Sequence, residues 1–459
     1  MKPSVGKARS LDAELVARYD RRVPRYTSYP TAPSFTPDVD AATYVAWLGA
    51  LPGGETLSLY LHVPFCAELC FYCGCHTTVA RRYAPVAAYV DLIEREIALI
   101  AGLLGQARPV AHVHWGGGTP TILSPDHFIQ ITRMLRSRFT VGRDAEIAIE
   151  IDPRTLTPAH VEALAVAGAN RASLGVQDFD ETVQRVINRI QTYEETAGAA
   201  ERLRGAGVRS LSLDLMYGLP HQSVETVEES VRIALQLDPD RIALFGYAHV
   251  PWMKRHQALL PEDRLPDAVE RVHQASAASA AIVDAGYVAI GLDHFAKPDD
   301  PLARSQRTGH LRRNFQGYTT DEAPTLIGFG TSSISHLPKG YVQNASSTVA
   351  YRDAILSGRL ATARGIAVTA EDRLRGAIIE RLMCDLEVDL ERIAPMYGRA
   401  PDDLLPELAR IDAMAEDGIA SRDGYRVAVP AAARPFLRSV CAVFDSYLSP
   451  EATRHSRAF

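Results

Sequence analysis

Of the six cysteines in the chain, four fall within ten residues: Cys66, Cys70, Cys73 and Cys75. Cys384 and Cys441 stand alone. In a long chain without an export signal, clustered thiols bind metal or do redox chemistry more often than they build a disulfide framework. The first three spell C-x3-C-x2-C in Cys66-Ala-Glu-Leu-Cys70-Phe-Tyr-Cys73. Three thiolates this close can hold three irons of a four-iron cluster, which leaves the fourth iron open to a small chelating ligand. The same spacing admits a zinc site completed by His62 or His76. Cys75 fits three roles: a spare ligand, a thiol on the substrate side, or a small buried residue.

The second candidate is Gly116-Gly117-Gly118-Thr119-Pro120. Adjacent glycines let a backbone approach a ligand, and its N–H and C=O groups can then grip an amine and a carboxylate. Polar residues also recur at the ends of apolar runs: Glu150, Gln177, Asp214 and His249. Singly, each reads as an ordinary capping or core group. In succession they line one rim, where carboxylates can bind ribose hydroxyls or an amine.

These groups need a frame. Short apolar, partly β-branched runs at 57–63, 110–115, 146–151, 171–176, 209–215 and 241–247 predict buried parallel strands. Amphipathic stretches at 86–104, 125–139, 158–167, 193–206 and 224–237 predict the helices between them. Such an α/β alternation closes into a full or partial barrel, or opens as a doubly wound sheet; six units favour the partial barrel, and spacing alone leaves the sheet open. In a barrel, the cysteine loop and the glycine segment share the end where active sites sit. Residues 1–56 read as an irregular arm, rich in turn formers and aromatics around 25–31. A helix is expected over 265–285 and a strand near 287–292. Helices over 371–386 and 402–417 precede a hairpin (419–420 and 425–429), which predicts a smaller, mainly helical, winged-helix-like module. The expected division is therefore an arm (1–56), a barrel with its extension (57–365) and a C-terminal helical domain (366–459).

Composition narrows the classes. The 459 residues carry 49 Lys+Arg against 55 Asp+Glu, a net charge of −6, with 47% hydrophobic and 23% charged residues. That is ordinary globular composition. The acidic balance argues against a nucleic-acid binder, and no apolar run is long enough to span a membrane. The first residues lack the apolar core of a signal peptide, so a soluble, cytoplasmic protein is expected.

C-x3-C-x2-C after the first strand, with an aromatic before the third cysteine and GGGTP after the second strand, resembles the radical S-adenosylmethionine (SAM) superfamily. Further stretches resemble the oxygen-independent coproporphyrinogen III dehydrogenases. They are Pro24-Arg-Tyr-Thr-Ser-Tyr-Pro-Thr31, Cys73-Gly-Cys75, Gly175-Val-Gln-Asp-Phe179, Asp214-Leu-Met-Tyr-Gly-Leu-Pro220, Gly291-Leu-Asp-His-Phe-Ala296, Arg313-Asn-Phe-Gln-Gly-Tyr-Thr-Thr320 and Cys441-Ala-Val-Phe-Asp-Ser-Tyr447. The resemblance spans residues 19–448 and implies a partial (β/α)6 TIM-like radical SAM barrel with an N-terminal arm and the C-terminal domain.

It also implies a [4Fe-4S] cluster, two SAM molecules, coproporphyrinogen III as substrate, a monomer, and an external electron donor and acceptor whose identities the sequence does not carry. Carried over residue by residue, Cys66, Cys70 and Cys73 ligate the cluster. Tyr60, Gly117 and Glu150 contact the SAM on the open iron. Tyr72, Gly118, Thr119, Gln177, Arg189, Asp214, Ala248 and Ile334 line the second SAM site. Ile190 departs from the pattern, which has a polar residue after Arg189. The implied reaction cleaves SAM reductively to a 5′-deoxyadenosyl radical, which takes a hydrogen from the β-carbon of a propionate. Loss of CO2 and an electron then leaves a vinyl group, and two such reactions give protoporphyrinogen IX. Four substrate carboxylates call for Arg or Lys forks, with Arg22, Arg25, Arg312 and Arg313 as candidates. Cys75, Arg25, Asp293 and His294 are the candidate catalytic groups, the last two for proton handling or for holding their loop. The runner-up is a related haem chaperone or haem-ring-modifying enzyme. The chaperones carry an acidic residue and an aromatic after the third cysteine, where this chain has Gly74-Cys75, and they lack the 24–31 arm.

Overall fold

The computed structural model describes residues 13–448 and 456–458. Of the C-terminal domain expected over 366–459, residues 449–455 and 459 lie outside the described residues.

Six strands form where the apolar runs predict them. They are β1 (Leu57–Val63), β2 (Pro109–Gly117), β3 (Thr140–Ile151), β4 (Arg171–Gln177), β5 (Ser210–Tyr217) and β6 (Arg241–Gly246). Each pairs in parallel with the one before it, in strict chain order. A doubly wound sheet reverses direction at a switch point; this one never does, which separates a partial barrel from the open alternative. The connecting helices are Ala84–Leu104, Pro125–Arg138, Pro158–Ala167, Tyr193–Gly205 and Val224–Leu235. Four of them start where a Ser or Thr side chain accepts an N–H of the first turn: Ser124, Thr157, Thr192 and Ser223.

The strands are not apolar throughout. On β1, Leu57, Leu59, Leu61 and Val63 join the main core, while Ser58, Tyr60 and His62 alternate with them. The same period of two runs through the sheet. Val113 and Trp115, Ile147 and Ile149, Leu174 and Val176, and Leu213 and Leu215 are buried in the core. His112, His114, Glu146, Glu150, Ser173 and Asp214 occupy the alternate face. One face thus packs under helices, and the other lines a polar interior.

The sheet extends beyond the six strands. On one edge, β8 (His294–Ala296) runs antiparallel to β6 and is flanked by β7 (Val288–Ile290). On the other, β9 (Thr325–Phe329) is a seventh parallel strand beside β1, followed by antiparallel β10 (Ile334–Leu337), β11 (Gly340–Asn344) and β12 (Thr362–Ala367). The sequence reading placed a strand near β7 but passed over β9. The arm also holds more order than expected, with helices Ala13–Tyr19 and Ala41–Gly49, the latter capped by Asp40.

The C-terminal module orders as helix (Ala370–Asp385), strand (Glu387–Asp389), helix (Leu405–Glu416) and hairpin (Ser421–Asp423, Arg426–Ala428). The first strand completes a three-stranded wing that the sequence reading had as a two-stranded hairpin. Its core includes the arm: Val16, Val23, Tyr26 and Tyr29 cluster with Ile378, Phe436 and Phe444. Tyr26 donates to Asp445 at 3.1 Å, and the Tyr29 and Ser446 hydroxyls meet at 2.9 Å. Arg438 donates to the Val23 and Pro24 carbonyls at 2.6 and 3.1 Å. Two motifs far apart in sequence, 24–31 and 441–447, are therefore one strap.

Candidate active site

The cysteine loop follows β1 and is gripped from three sides. Asn188 donates to the Leu69 carbonyl at 2.8 Å. From the loop after β6, Gln257 donates to the Tyr72 carbonyl at 2.9 Å, His256 meets the Cys73 carbonyl at 2.7 Å and Lys254 donates to the Cys75 carbonyl at 2.8 Å. The glycine segment closes the third side, with Gly118 and Thr119 donating to the Val63 and Phe65 carbonyls at 2.8 Å each. A Cβ on Gly118 would lie 2.5 Å from the Phe65 carbonyl oxygen, and one on Gly117, at φ +114°, would lie 2.8 Å from the His62 ring. The missing side chains are thus demanded by the loop itself; the edges of Gly117 and Gly118 still face the cavity.

Cys66, Cys70, Cys73 and Cys75 all line one cavity of about 970 Å³. Donors surround each of the first three sulfurs. Thr77 and Thr119 hydroxyls lie 3.1 and 3.6 Å from Cys66 Sγ. Arg189 and Arg154 donate to Cys70 Sγ at 3.7 and 4.0 Å, and the Cys75 N–H donates to Cys73 Sγ at 3.4 Å. The Cys73 thiol is pulled down to about 7, first by its contact with Cys75. Burial holds Cys66 up against its threonine contacts. Donors aimed at sulfur suit thiolates that carry charge to iron. Arg189 adds a buried Nε with no partner, on the wall of the same cavity. The residues present therefore fit a cluster held by three cysteines.

They fit a zinc ion poorly. Among the described residues, no group of three His, Cys, Asp or Glu converges to hold a single ion. His62, one proposed fourth ligand, has both ring nitrogens engaged: Nε2 with the His76 carbonyl at 2.9 Å and Nδ1 with the Tyr60 hydroxyl at 3.1 Å.

The rim residues come together largely as expected. Tyr72, Gly117, Gly118, Thr119, Glu150, Gln177, Arg189, Asp214 and Ala248 all line the cavity, as do Arg25, Asp293 and His294. Glu150 accepts from the Gly117 N–H at 3.2 Å and meets His114 Nε2 at 3.0 Å. Burial alone would raise its pKa; the His114 contact outweighs it and leaves the carboxyl below its usual range. Asp214, bonded to Ser173 at 2.8 Å, is pushed by burial up to about 7, with the Glu150 charge adding to the rise. Ile190, the departure from the pattern, is exposed on the cavity wall.

Two assignments do not reach the cavity. Ile334 sits on β10, paired with Gln343 beyond β9, and does not line it. Tyr60 is set behind the wall, its ring 5.8 Å from that of His114. His249 also turns away, bonded to the Tyr247 hydroxyl and to Glu262 at 2.8 Å each. Of the carboxylate candidates, Arg25 and Arg313 line the cavity. Arg22 lies over the Trp252 ring at 4.3 Å, and Arg312 pairs with Glu380 at 3.0 Å. Asp293 is held to about 2: burial opposes this, but His294 Nδ1 at 2.7 Å and the arginines Arg313 and Arg25 prevail. The sequence reading missed Thr77, His114, Arg154 and Lys254. His114 was signalled by its place two residues before Gly116, on the polar face of β2.

Comparisons agree with this geometry. The sequence matches the radical SAM superfamily over residues 60–234 and the HemN C-terminal domain over residues 368–436. It is 52% identical, across 97% of this chain and 99% of the relative, to an oxygen-independent coproporphyrinogen III oxidase of Bradyrhizobium diazoefficiens. The chain belongs to the oxygen-independent coproporphyrinogen III oxidase family. A relative of that name from Paracoccus denitrificans is 43% identical across 97% of this chain and 98% of its own length. The structure of coproporphyrinogen III oxidase (HemN) from Escherichia coli, a radical SAM enzyme, superposes with a TM-score of 0.88 at 37% identity, covering 93% of this chain and 100% of that one. Membership of this oxidase family accounts for the fusion of a radical SAM barrel to the strap and wing.

Proposed function

We propose that this chain converts two propionates of coproporphyrinogen III to vinyl groups without oxygen, giving protoporphyrinogen IX. The observation that carries the reading is that three donor-ringed cysteines, the glycine segment and the polar rim line one cavity, roofed by the arm. When bound, a four-iron cluster and SAM supply a carbon radical that takes one hydrogen atom from a propionate β-carbon. The remaining change balances as loss of CO2 and one electron per propionate, with the electron leaving to an external acceptor.

The chain's own residues set the stage. Cys66, Cys70 and Cys73 would hold the cluster, and Arg154 and Arg189 stabilise the Cys70 thiolate. Glu150, kept ionised by His114, offers a carboxylate to the amine of a first SAM beside the Gly117 backbone. Tyr72, Gly118, Thr119, Gln177, Arg189, Asp214 and Ala248 would hold a second SAM; Tyr60 and Ile334, off the wall, would act only from behind it. The arm, with Val23, Pro24, Arg25 and Thr27 on the wall, helps to exclude water from the cavity. Asp293, bonded to His294 at 2.7 Å, lies 4.0 Å from Arg313 and would help to position it.

The reading places the enzyme in the cytoplasm as a monomer; among the described residues no helix is long and apolar enough to cross a membrane. We keep the division into arm (1–56), barrel with extension (57–365) and C-terminal domain (366–459), with the arm folded into the core of the last. The test is anaerobic. Protein reconstituted with iron and sulfide is given SAM, a reductant, an electron acceptor and coproporphyrinogen III, and 5′-deoxyadenosine and porphyrin are assayed together. Protoporphyrin with deoxyadenosine is expected. SAM cleavage with intact propionates would move the reading to haem-ring chemistry.

A further inference from the structure

A second chamber of about 690 Å³ opens off the cysteine cavity and shares Arg25, Tyr247, Ala248, Asp293 and Arg313 with it. It lies between the β6–β8 edge of the sheet, the helix Ala268–Asp284 and the C-terminal module. Six arginines line its wall: Arg457 is exposed and paired with Asp20 at 2.6 Å, and the other five are Arg25, Arg271, Arg313, Arg434 and Arg438. These five come from four separate parts of the chain.

Their partners are unusual. Arg25 donates to the Gly246 carbonyl at 2.9 Å, Arg271 to that of Tyr247 at 2.5 Å and Arg313 to that of Arg25 at 3.3 Å. Arg434 donates to the Gly291 carbonyl and Arg438 to that of Val23 at 2.6 Å. A carbonyl fixes a guanidinium in place but does not cancel its charge. Of these five, only Arg313 has a carboxylate within ion-pair reach among the described residues, Asp293 at 4.0 Å, and that group already holds His294. The Arg313 side chain is 6% exposed, and its Nε and Nη1, like Arg271 Nε, are buried without a partner. Burial lowers the pKa of Arg271 and Arg434, and burial with the nearby Arg25 brings Arg438 to about 10. Buried like charges with unmade N–H bonds are costly unless an anion completes them.

We propose that this chamber anchors the carboxylates of the tetrapyrrole that are not reacting, with Arg271 and Arg434 as the forks and Arg438 as a positioning residue that ties the strap to them. Arg25 and Arg313, at the junction of the chambers, face the propionate that enters the cysteine cavity. This rests on the decarboxylation reading above. Protoporphyrin keeps the two carboxylates that do not react and has lost the two that Arg25 and Arg313 face, so it fills the chamber but not the junction and is held less tightly than the substrate.

The experiment measures binding by the anaerobic holoenzyme of coproporphyrin III, the stable oxidised form of the substrate, against its tetramethyl ester, which keeps the ring and has no carboxylate. Arg271→Met and Arg434→Met should each weaken coproporphyrin III about tenfold or more and the ester about threefold or less. Arg271→Lys should recover part of the loss, and Arg312→Gln, outside both chambers, should match the wild type. Near-unchanged coproporphyrin binding in both Met variants overturns the proposal. So does equal weakening of acid and ester, the signature of lost packing. Wild-type binding that shows this arginine dependence without decarboxylation sinks the functional reading and leaves the chamber. Decarboxylation without the dependence sinks the chamber alone.

Discussion

In the cysteine half of the joined cavity, the arginines at the sulfurs face a carboxylate: Arg154 and Arg189 share Asp152 at 2.7 and 3.2 Å. Lys254 is the exception, donating to the Cys75 carbonyl at 2.8 Å. In the arginine half, guanidiniums rest on carbonyls and keep their charge. The arginines of the first half are compensated before any substrate arrives. Those of the second are compensated only by an anion. A resident cofactor and a departing substrate call for these two designs: permanent compensation where the guest stays, and open charge where the guest must bind and leave.

The largest effect that tests this contrast lies in the first half. Cys70→Ala removes a sulfur that both Arg154 and Arg189 approach. Cluster absorption and deoxyadenosine release should both fall to background. Cys75→Ser should keep the absorption, since Cys75 lies beside the three sulfurs without being one of them. Equal loss in both variants would erase the distinction between ligand and neighbour.

The two halves also differ in how far the sequence revealed them. The cysteine half is built from contiguous motifs, each carried whole by one βα turn, so spacing exposed it. The arginine half gathers Arg25, Arg271, Arg313, Arg434 and Arg438 across the chain; Arg25 and Arg313 stood out through their motifs, and no local pattern marks the other three among 49 Lys and Arg. Of the fold, the six strands were legible because their outward face is apolar and their length is short. β9 was missed because the chain before Thr325–Phe329 carries only a seven-residue helix (Pro301–Arg307) and a two-stranded hairpin (Arg312–Asn314, Gly317–Thr319), with no long amphipathic helix to announce a β–α unit. The Ala41–Gly49 helix was missed although Asp40 caps it, because nine mostly apolar residues are too short a run to show a helical period. The strap between 24–31 and 441–447 joins ends of the chain that no window compares.

Asp152→Asn is the next largest expected change. It strips the shared partner from two buried arginines and makes the first half resemble the second. Breaking a buried pair in this way costs about 3–5 kcal/mol. The denaturation midpoint should fall, and iron content should fall with it as Cys70 loses its oriented donors. An unchanged midpoint would mean that compensation in the cysteine half does not matter.

Glu96 offers the opposite sign of charge. It is a carboxyl buried under the barrel, accepting from Gly330 N, the Asn344 amide and the Tyr351 hydroxyl at 2.6–2.7 Å, with no cation beside it among the described residues. Burial raises its pKa to about 7 from 4.5. The folded chain therefore holds this proton where the unfolded chain has released it. Its contribution is complete below about pH 4.5 and is lost as pH rises toward 7, a change of about 3 kcal/mol. Stability measured from pH 5 to 7 should decline less steeply in Glu96→Gln than in the wild type. Parallel slopes would show that the three donors hold the carboxylate ionised throughout.

The smallest effect separates the two halves most sharply, because its sign is reversed. Arg271→Met removes a buried cation that has only the Tyr247 carbonyl and an unpartnered Nε. What is lost is one hydrogen bond, worth about 1 kcal/mol net. What is gained is relief from desolvation and from repulsion by Arg25, the effects that already depress its pKa. An apolar side chain of similar length can be neutral or stabilising by about 1 kcal/mol or more in such a place. The substrate-free protein should therefore melt at the same temperature as the wild type or slightly above it. Saturating coproporphyrin III should raise the wild-type midpoint more than the variant's, because only the wild type stores charge for the ligand to neutralise. If Arg271→Met instead lowers the substrate-free midpoint as Asp152→Asn does, the arginine half is as fully compensated as the cysteine half, and the difference between them disappears.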